Sequence, residues 1–302
     1  MPIESALIIG KDGLIGTALS ALLRSKGIRV YGTTRREPAA SDIFLNLSDR
    51  SLADIELPRT DVAIICAAAN GFAFCRANQD YAQRVNAEAP RILARKLTAR
   101  GSRVIYLSSS AVFDFSRPHV DAASPHCPTT GYGRSKAAGE ENVLAAGELA
   151  TIVRLTKVVA PTTPPFGQWL PKLQAGHMVT AFSDLHFCPI PLDRVTDALL
   201  AIAEANLAGT FHVSGAADID YLSAAKHLAA RMRVDNSRIA CDSAAAHGIP
   251  KEEIAAFTSL DTVRYTSLTG VQPLEPFDAL DAAYGPSTGD VGPRTPWLME
   301  AK

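Results

Sequence analysis

The chain has 302 residues, which is enough for one large domain or two unequal ones and for a core that needs neither disulfides nor metals. Because 30 basic residues balance 31 acidic ones, the formal charge of −1 argues against binding to nucleic acid. A hydrophobic content of 47% excludes extended disorder. Apolar runs such as Val62–Ala69 have about half the length of a membrane span, so no membrane association is expected.

The amino terminus and the cysteines suggest a cellular compartment. Met1–Ser5 lead directly into a strand-like segment, without the basic and apolar regions of a signal peptide. The 5 cysteines are odd in number, scattered and without C-x-x-C spacing, as in proteins with reduced thiols. The 7 histidines show no metal-ligand spacing. We therefore predict a cytoplasmic protein without a metal site.

Short apolar runs alternate with longer helical patterns along the chain. This alternation predicts an α/β fold, a Rossmann-like doubly wound parallel sheet with helices on both faces. The predicted strands are Ala6–Ile9, Ile28–Thr33, Val62–Cys66, Val104–Leu107, Ile152–Leu155 and Thr210–Val213. The predicted helices are Leu14–Leu23, Tyr81–Arg100, Gly133–Ala146, Asp193–Ala205 and Tyr221–Met232.

The pattern of elements changes in two places, which suggests a second domain. It breaks at the proline-rich segment Pro161–Pro165, and strands become hard to find after about Ile219. We predict a dinucleotide-binding domain and a smaller, mostly C-terminal substrate-binding domain. Their predicted ranges are 1–160 with about 190–215, and about 161–189 with 216–302.

A glycine-rich loop lies between the first predicted strand and the first predicted helix. Its G-x-x-G-x-x-G spacing is weak evidence alone, because ordinary turns also contain glycines. Glycines do allow close approach to a pyrophosphate, and the N–H groups at the helix start can face that anion. The order of strand, loop and helix near the amino terminus therefore favours a dinucleotide. The contacts predicted here are Gly10, Gly13, Leu14, Ile15 and Gly16.

The end of the second predicted strand bears on which dinucleotide binds. A carboxylate there would bind a free ribose 2′-hydroxyl, but the sequence reads Thr34, Arg35 and Arg36. Two adjacent guanidiniums suit a 2′-phosphate. We therefore prefer NADP(H), and NAD(H) stays open because an arginine pair is also common in solvated turns.

A tyrosine and a lysine form the strongest catalytic pattern. Tyr132 and Lys136 are spaced Y-x-x-x-K, which places both side chains on one face of a helix. The serines 108–110 end a predicted strand, and the carboxyl ends of parallel strands face the cofactor crevice. A neighbouring ammonium, together with the charge of the nicotinamide, would lower the phenol pKa from about 10, so that the phenol exchanges a proton with a carbonyl or alcohol oxygen held by a serine.

Several segments in combination resemble a known family. They are the glycine loop, Cys66-Ala-Ala-Ala69, Val85-Asn-Ala-Glu-Ala-Pro90, Leu107-Ser-Ser-Ser-Ala-Val-Phe-Asp114 and Tyr132-Gly-Arg-Ser-Lys136. Together they resemble the extended short-chain dehydrogenase/reductase family over about residues 5–215. Within it, the chain is similar to the dTDP-4-dehydrorhamnose reductase branch, on segments that include Val85–Glu88, Val112–Asp114 and Gly209–Gly215.

The resemblance implies roles for particular residues. Ser109 is the implied catalytic hydroxyl, with Ser110 as the alternative, and Tyr132 is the implied proton donor. Lys136 is implied to lower the tyrosine pKa and to hold the nicotinamide ribose. The further cofactor contacts that the family pattern implies are Asn46, Leu47, Ala67, Ala68, Ala69 and Asn86, together with Tyr132 and Lys136.

Some positions expected to face the substrate depart from the family pattern. Lys157 stands where the branch has Trp and related epimerases have Asn, and it could contact a substrate phosphate or point to solvent. His186 lies where the family's substrate loop returns to the sheet. Ser110, Lys157 and His186 are therefore the predicted substrate contacts.

The function that these features predict is reduction of the 4-keto group of a nucleotide-linked deoxysugar. A sugar-nucleotide 4-epimerase and a non-catalytic NADP-binding regulatory subunit are the alternatives. A 4,6-dehydratase is disfavoured because Ser110 and Ala111 follow Ser109 where that class has an Asp-Glu pair. The base and the sugar stay open, as does a homodimer formed through Tyr81–Arg100 and Gly133–Ala146.

Overall fold

A computed structural model describes residues 3–38 and 42–285 of the chain. The strands are β1 (Ser5–Ile9), β2 (Arg29–Thr34), β3 (Asp42–Phe44), β4 (Val62–Ile65), β5 (Arg103–Ser109), β6 (Ala150–Leu155), β7 (Lys157–Val159), β8 (Val179–Phe182), β9 (His186–Phe187), β10 (Pro189–Pro191), β11 (Gly209–Val213), β12 (Ile219–Asp220) and β13 (Ile239–Asp242). The α-helices are α1 (Leu14–Ser25), α2 (Phe72–Ala77), α3 (Gln79–Gln83), α4 (Ala89–Thr98), α5 (Gly131–Leu144), α6 (Phe166–Gln174), α7 (Leu192–Ala205), α8 (Tyr221–Arg231), α9 (Val263–Thr269) and α10 (Pro276–Tyr284).

Seven strands form a parallel sheet in the order β11-β6-β5-β4-β1-β2-β3. Both faces of this sheet are buried, which explains why the strands read as continuous apolar runs. In β1, Ile8 joins an apolar cluster with residues of α1 and α7, whereas Leu7 and Ile9 join a second cluster with residues of α4. The predicted doubly wound α/β fold is confirmed.

The strand order places a crevice between β1 and β4. From β1 the chain proceeds outward through β2 and β3, and then crosses to β4, β5, β6 and β11 on the other side. At such a switch point the connections leave the sheet in opposite directions, which opens a ligand crevice beyond the carboxyl ends of the strands. The fold therefore places the glycine loop after β1 next to the segment after β4.

The predicted elements are present, and the differences lie in short segments. The predicted helix Tyr81–Arg100 is divided between α3, a π-helical turn at Arg84–Glu88, and α4. The strand Asp42–Phe44 and the helix Phe72–Ala77 had no counterpart among the predictions, because segments of three and six residues carry little periodicity.

Outside the main sheet, three two-stranded sheets pair β7 with β10, β8 with β13, and β9 with β12. Phe166 is fully buried among the rings of Trp169, Phe187, Tyr221 and Tyr284. The division into two domains stays a prediction, and residues 286–302 of the second range lie outside the described residues. In the described part of the chain, no helix is both long and apolar enough to cross a membrane.

Candidate active site

A cleft of about 1200 Å³ runs along the carboxyl ends of the central strands. Segments from the second half of the chain, including 185–187 and 248–250, form part of its wall. The sequence-predicted residues that line it are Gly10, Gly13, Leu14, Ile15, Gly16, Thr34, Arg35, Arg36, Asn46, Leu47, Ala67, Ala68, Ser109, Ser110, Tyr132, Lys136, Lys157 and His186. The fold therefore gathers predicted residues from distant parts of the sequence in one place.

The glycine loop has the backbone that an anion site needs. Gly10 has φ +88°, and a Cβ on it would lie 2.6 Å from Cβ of Ala67, so a side chain is excluded here. Gly13 is the N-cap of α1 and no side chain caps the helix. The first N–H groups of α1 are therefore available to a ligand, and the helix dipole favours a negative charge at this end.

An acidic residue, Asp12, lies against the end of β2, and the sequence analysis gave it no role. The Thr34 hydroxyl donates a hydrogen bond to the Asp12 carboxylate, and this contact lowers the pKa of Asp12. Lys11 Nζ lies 3.0 Å from Asp12 Oδ1 and 3.1 Å from an Asp42 oxygen. Arg35 Nη1 donates to the Tyr81 hydroxyl at 3.2 Å. Asp12 comes from the glycine loop, so only the fold brings it to the arginine-containing strand end.

Two predicted cofactor contacts, Ala69 and Asn86, lie behind the wall of the cleft. Asn86 is fully buried, and its Oδ1 accepts from the Ala69 N–H at 2.9 Å. Its Nδ2 donates to the Ala69 carbonyl and to Ser135 Oγ, both at 2.9 Å. Asn86 therefore fixes the segment after β4, whose residues Ala67 and Ala68 do line the cleft.

We expect Asn86→Ala to lower the free energy of unfolding by about 2–3 kcal/mol, because it leaves the buried N–H of Ala69 without a partner and the Ala69 carbonyl with only the Cys75 thiol as donor. Urea unfolding measures this effect. Asn142→Ala is the matched control, since Asn142 is half-buried and donates one bond, to Ala87 O at 3.1 Å. Equal losses of unfolding free energy in the two variants would show that the bonds of Asn86 to Ala69 contribute no more than the single bond of Asn142.

The tyrosine and the serine that are predicted to be catalytic, Tyr132 and Ser109, both line the cleft where α5 packs against β5. Thr130 caps α5 by accepting a hydrogen bond from Gly133 N at 3.0 Å. This cap starts the helix one residue before Tyr132. Ser109 lies within hydrogen-bonding reach of the Tyr132 phenol, and the Phe72 ring packs 5.9 Å from the Tyr132 ring. Burial raises the pKa of Tyr132 to about 12, although the contact with Ser109 opposes the rise.

Lys136 is expected to lower the pKa of Tyr132, but its contacts are with Tyr106 and Leu107. Its ammonium lies 3.8 Å from the centre of the Tyr106 ring and donates to the Leu107 carbonyl at 2.5 Å. Burial lowers the pKa of Lys136 to about 7. For Tyr132 the effect of burial therefore dominates, and the predicted lowering of its pKa does not occur in the chain alone.

A buried ionic cluster lies one helical turn beyond Lys136. Arg154 Nη2 donates to Glu140 Oε2 at 2.7 Å, and Arg154 Nε contacts both oxygens of the same carboxylate. His126 Nε2 lies 2.8 Å from Glu140 Oε2, and His212 Nε2 lies 3.2 Å from Arg154 Nη1. This cluster ties α5, which carries Tyr132 and Lys136, to β6 and β11.

The far end of the cleft is formed by residues that local sequence patterns do not reveal. Arg76 of α2 forms an ion pair with Glu253, and both residues line the cleft. The Phe257 N–H donates to the Phe115 carbonyl at 3.1 Å. These contacts join chain segments more than 100 residues apart, and no signal in the sequence predicted them.

Comparisons with known proteins agree with this arrangement. A protein-family model described as the RmlD substrate binding domain matches residues 4–279. A dTDP-4-dehydrorhamnose reductase of Mycobacterium tuberculosis is 29% identical over 280 residues, which cover 90% of this chain and 89% of that protein. A probable low-salt glycan biosynthesis reductase of Haloferax volcanii is 30% identical over 221 residues, covering 69% and 74%.

A solved structure has the same fold as this chain. It is a dTDP-4-dehydrorhamnose reductase from Bacillus anthracis in complex with NADP, with a TM-score of 0.81 and 20% sequence identity. The match covers 94% of this chain and 99% of that chain. It therefore extends beyond the main sheet to the C-terminal segments that complete the cleft.

Proposed function

The chain belongs to the RmlD substrate binding domain family, and we propose that it is an NAD(P)-dependent reductase of the extended short-chain dehydrogenase/reductase type. Its proposed reaction reduces the 4-keto group of a nucleotide-linked deoxysugar. The observation that carries this proposal is that Ser109, Tyr132 and Lys136 line the same cleft as the glycine loop. The relatives named as reductases support it.

The residues of the cleft fit a nicotinamide dinucleotide. Gly10 lies so close to Ala67 that no side chain fits there, and no side chain caps the start of α1. The backbone N–H groups of this turn can therefore bind a pyrophosphate. Arg35 and Arg36 would hold a 2′-phosphate. Lys136 uses one of its three protons for the Leu107 carbonyl, which leaves two N–H donors for a ribose hydroxyl.

The Ser109 and Tyr132 side chains can carry out the proton transfer of a carbonyl reduction. When bound, a reduced nicotinamide supplies the hydride to the carbonyl carbon. Ser109 would donate a hydrogen bond to the carbonyl oxygen and polarise it. Tyr132 keeps its proton at neutral pH because its pKa is about 12, and would give it to the developing alkoxide, a much stronger base. The resulting phenolate regains a proton from solvent.

The relatives favour reduction over epimerisation, because those of Haloferax volcanii and Mycobacterium tuberculosis are named as reductases. The set Ser109, Tyr132 and Lys136, gathered in a cleft with an anion site, argues against a non-catalytic regulatory subunit.

The proposed function is tested by mixing the protein with NADPH and a dTDP-linked 4-keto-6-deoxy sugar. We expect one NADPH to be oxidised for each sugar reduced, with a product that contains two more hydrogen atoms by mass spectrometry. Interconversion of two 4-epimeric nucleotide sugars by the protein with oxidised cofactor, without net reduction of that cofactor, would identify an epimerase. Cofactor binding without turnover of any 4-keto nucleotide sugar would point to the regulatory alternative.

We expect NADPH to bind about tenfold or more tightly than NADH, because paired guanidiniums make charge-assisted hydrogen bonds to a 2′-phosphate. Changing both Arg35 and Arg36 to Ala should remove the preference and leave NADH binding nearly unchanged. Fluorescence titration of each cofactor measures both effects. Arg24→Ala on α1, outside the cleft lining, is the control. Equal affinities in the unmodified protein would contradict the assignment of the arginine pair to a 2′-phosphate.

Two further predictions accompany this proposal. A homodimer would form through the helices at Tyr81–Arg100 and Gly133–Ala146, and the protein would act in the cytoplasm on a small nucleotide-sugar substrate. Neither nucleic acid nor a membrane takes part in the proposed function.

A further inference from the structure

Lys157 lies beside the reacting end of the cleft. Strand β6 pairs with β5 so that Leu155 is opposite Ser109, and Lys157 follows two residues later. Lys157 begins β7 just beyond this end of β6, and it lines the same cleft as Ser109.

The amine of Lys157 has no counter-ion in the described part of the chain. No hydrogen bond or ion pair joins its Nζ to another residue in the ranges 3–38 and 42–285. Lys157 is half-buried, and this burial lowers its pKa. Glu253, an acidic residue that lines the same cleft, is paired with Arg76. A partly desolvated ammonium without a partner is unfavourable until an anion joins it.

A second unpartnered polar group lines the same end. His186 Nδ1 is buried and makes no hydrogen bond to any described residue. His186 begins the segment that runs alongside Lys157, because Lys157 is paired with Pro189 and its N–H donates to the carbonyl of Cys188 at 3.0 Å. Both side chains line the cleft. An imidazole Nδ1–H can donate to the same ligand as a lysine ammonium.

We propose that Lys157 and His186 bind an oxyanion of the substrate, either its diphosphate or a carboxylate on its sugar. This inference rests on the proposed function, since it assigns these residues to a nucleotide-sugar substrate. The diphosphate would anchor the nucleotide, whereas a carboxylate would make the enzyme selective for an acidic sugar. A neutral side chain at position 157 could not supply the charge for either.

The test measures binding of four probes to the full chain by calorimetry, in the presence of NADPH. The probes are dTDP, UDP, UDP-glucose and UDP-glucuronic acid. Lys157→Gln removes the charge, Lys157→Arg retains it, and Lys172→Gln removes an exposed lysine of α6 as a control. Thermal melting checks that each variant is folded. NADPH-dependent turnover of the 4-keto sugar is measured in the same preparations.

We expect Lys157→Gln to weaken binding about tenfold, with Lys157→Arg within about threefold of the unmodified protein and Lys172→Gln unchanged. A loss for all four probes identifies the diphosphate as the partner. A loss confined to UDP-glucuronic acid identifies a sugar carboxylate. If Lys157→Gln binds all probes and turns over substrate like the unmodified protein, the inference is wrong and the reductase function stands. If the unmodified protein binds no probe and shows no turnover, both are wrong.

Discussion

Replacing Tyr132 by phenylalanine is expected to lower kcat by about 10²–10⁴-fold, which is the usual contribution of a positioned general acid. The substitution removes a single hydroxyl and keeps the ring contact with Phe72. We therefore expect the affinity for NADPH and the melting temperature to change little. Steady-state NADPH oxidation with a 4-keto nucleotide sugar measures kcat, and fluorescence titration measures cofactor binding.

Two companion variants separate proton donation from other effects. Ser109→Ala should lower kcat by a smaller factor, because it removes an orienting hydrogen bond but leaves the proton donor in place. Tyr265→Phe changes a buried tyrosine in the core, outside the main cleft, and should leave kcat unchanged. An unaltered kcat in Tyr132→Phe would mean that another group protonates the alkoxide, and the proposed mechanism would have to be abandoned.

The features that sequence predicts well are those encoded within a short segment. The loop Gly10–Gly16 and the pair Tyr132 and Lys136 each depend on spacing along one strand, turn or helix, and the structure places all of them in one cleft. The pattern also marked Asn86, but its position behind the wall depends on the side-chain bonds to Ala69, which spacing does not encode.

Features that depend on distant contacts could not be predicted from the sequence. The ion pair of Arg76 with Glu253 requires the C-terminal segment to fold back over α2. The orientation of Lys136 depends on the Tyr106 ring beneath it, and that ring is fixed by its hydroxyl bond to the Asn86 carbonyl at 2.6 Å. A lysine in a Y-x-x-x-K pattern can point at the tyrosine or at the strand below, and only packing decides between these orientations.

The second large effect is expected in stability, from the ionic cluster beneath the site. Arg154→Met should lower the free energy of unfolding by about 3–5 kcal/mol, because it leaves the fully buried Glu140 carboxylate without its main partner. The double variant Arg154→Met with Glu140→Leu should regain most of this loss, since no uncompensated charge remains. Urea unfolding at neutral pH measures both. Arg231→Gln is the control, because its ion pair with Asp281 is exposed and should contribute less than about 1 kcal/mol.

The same cluster determines how stability depends on pH. Burial acts to raise the pKa of Glu140, but the hydrogen bonds from His126 and Arg154 lower it to about 2. Burial and the Arg154 charge lower the pKa of His212 to about 4. For both groups the folded pKa lies below the ordinary value, so the unfolded chain binds protons first and stability falls with decreasing pH. For His212 this loss extends from about pH 6.5 to 4, and for Glu140 from about pH 4.5 to 2.

His126 has the opposite dependence, which limits stability on the alkaline side. Its hydrogen bond to Glu140 raises its pKa above the ordinary 6.5, although burial opposes the rise. Its contribution is complete below pH 6.5 and is lost as pH rises through the folded pKa. Urea unfolding of the unmodified protein and of Arg154→Met with Glu140→Leu between about pH 2.5 and pH 9 should show a maximum near neutrality in the first and a flatter profile in the second. Parallel profiles would mean that carboxylates elsewhere in the chain, rather than this cluster under Tyr132, control the acid sensitivity.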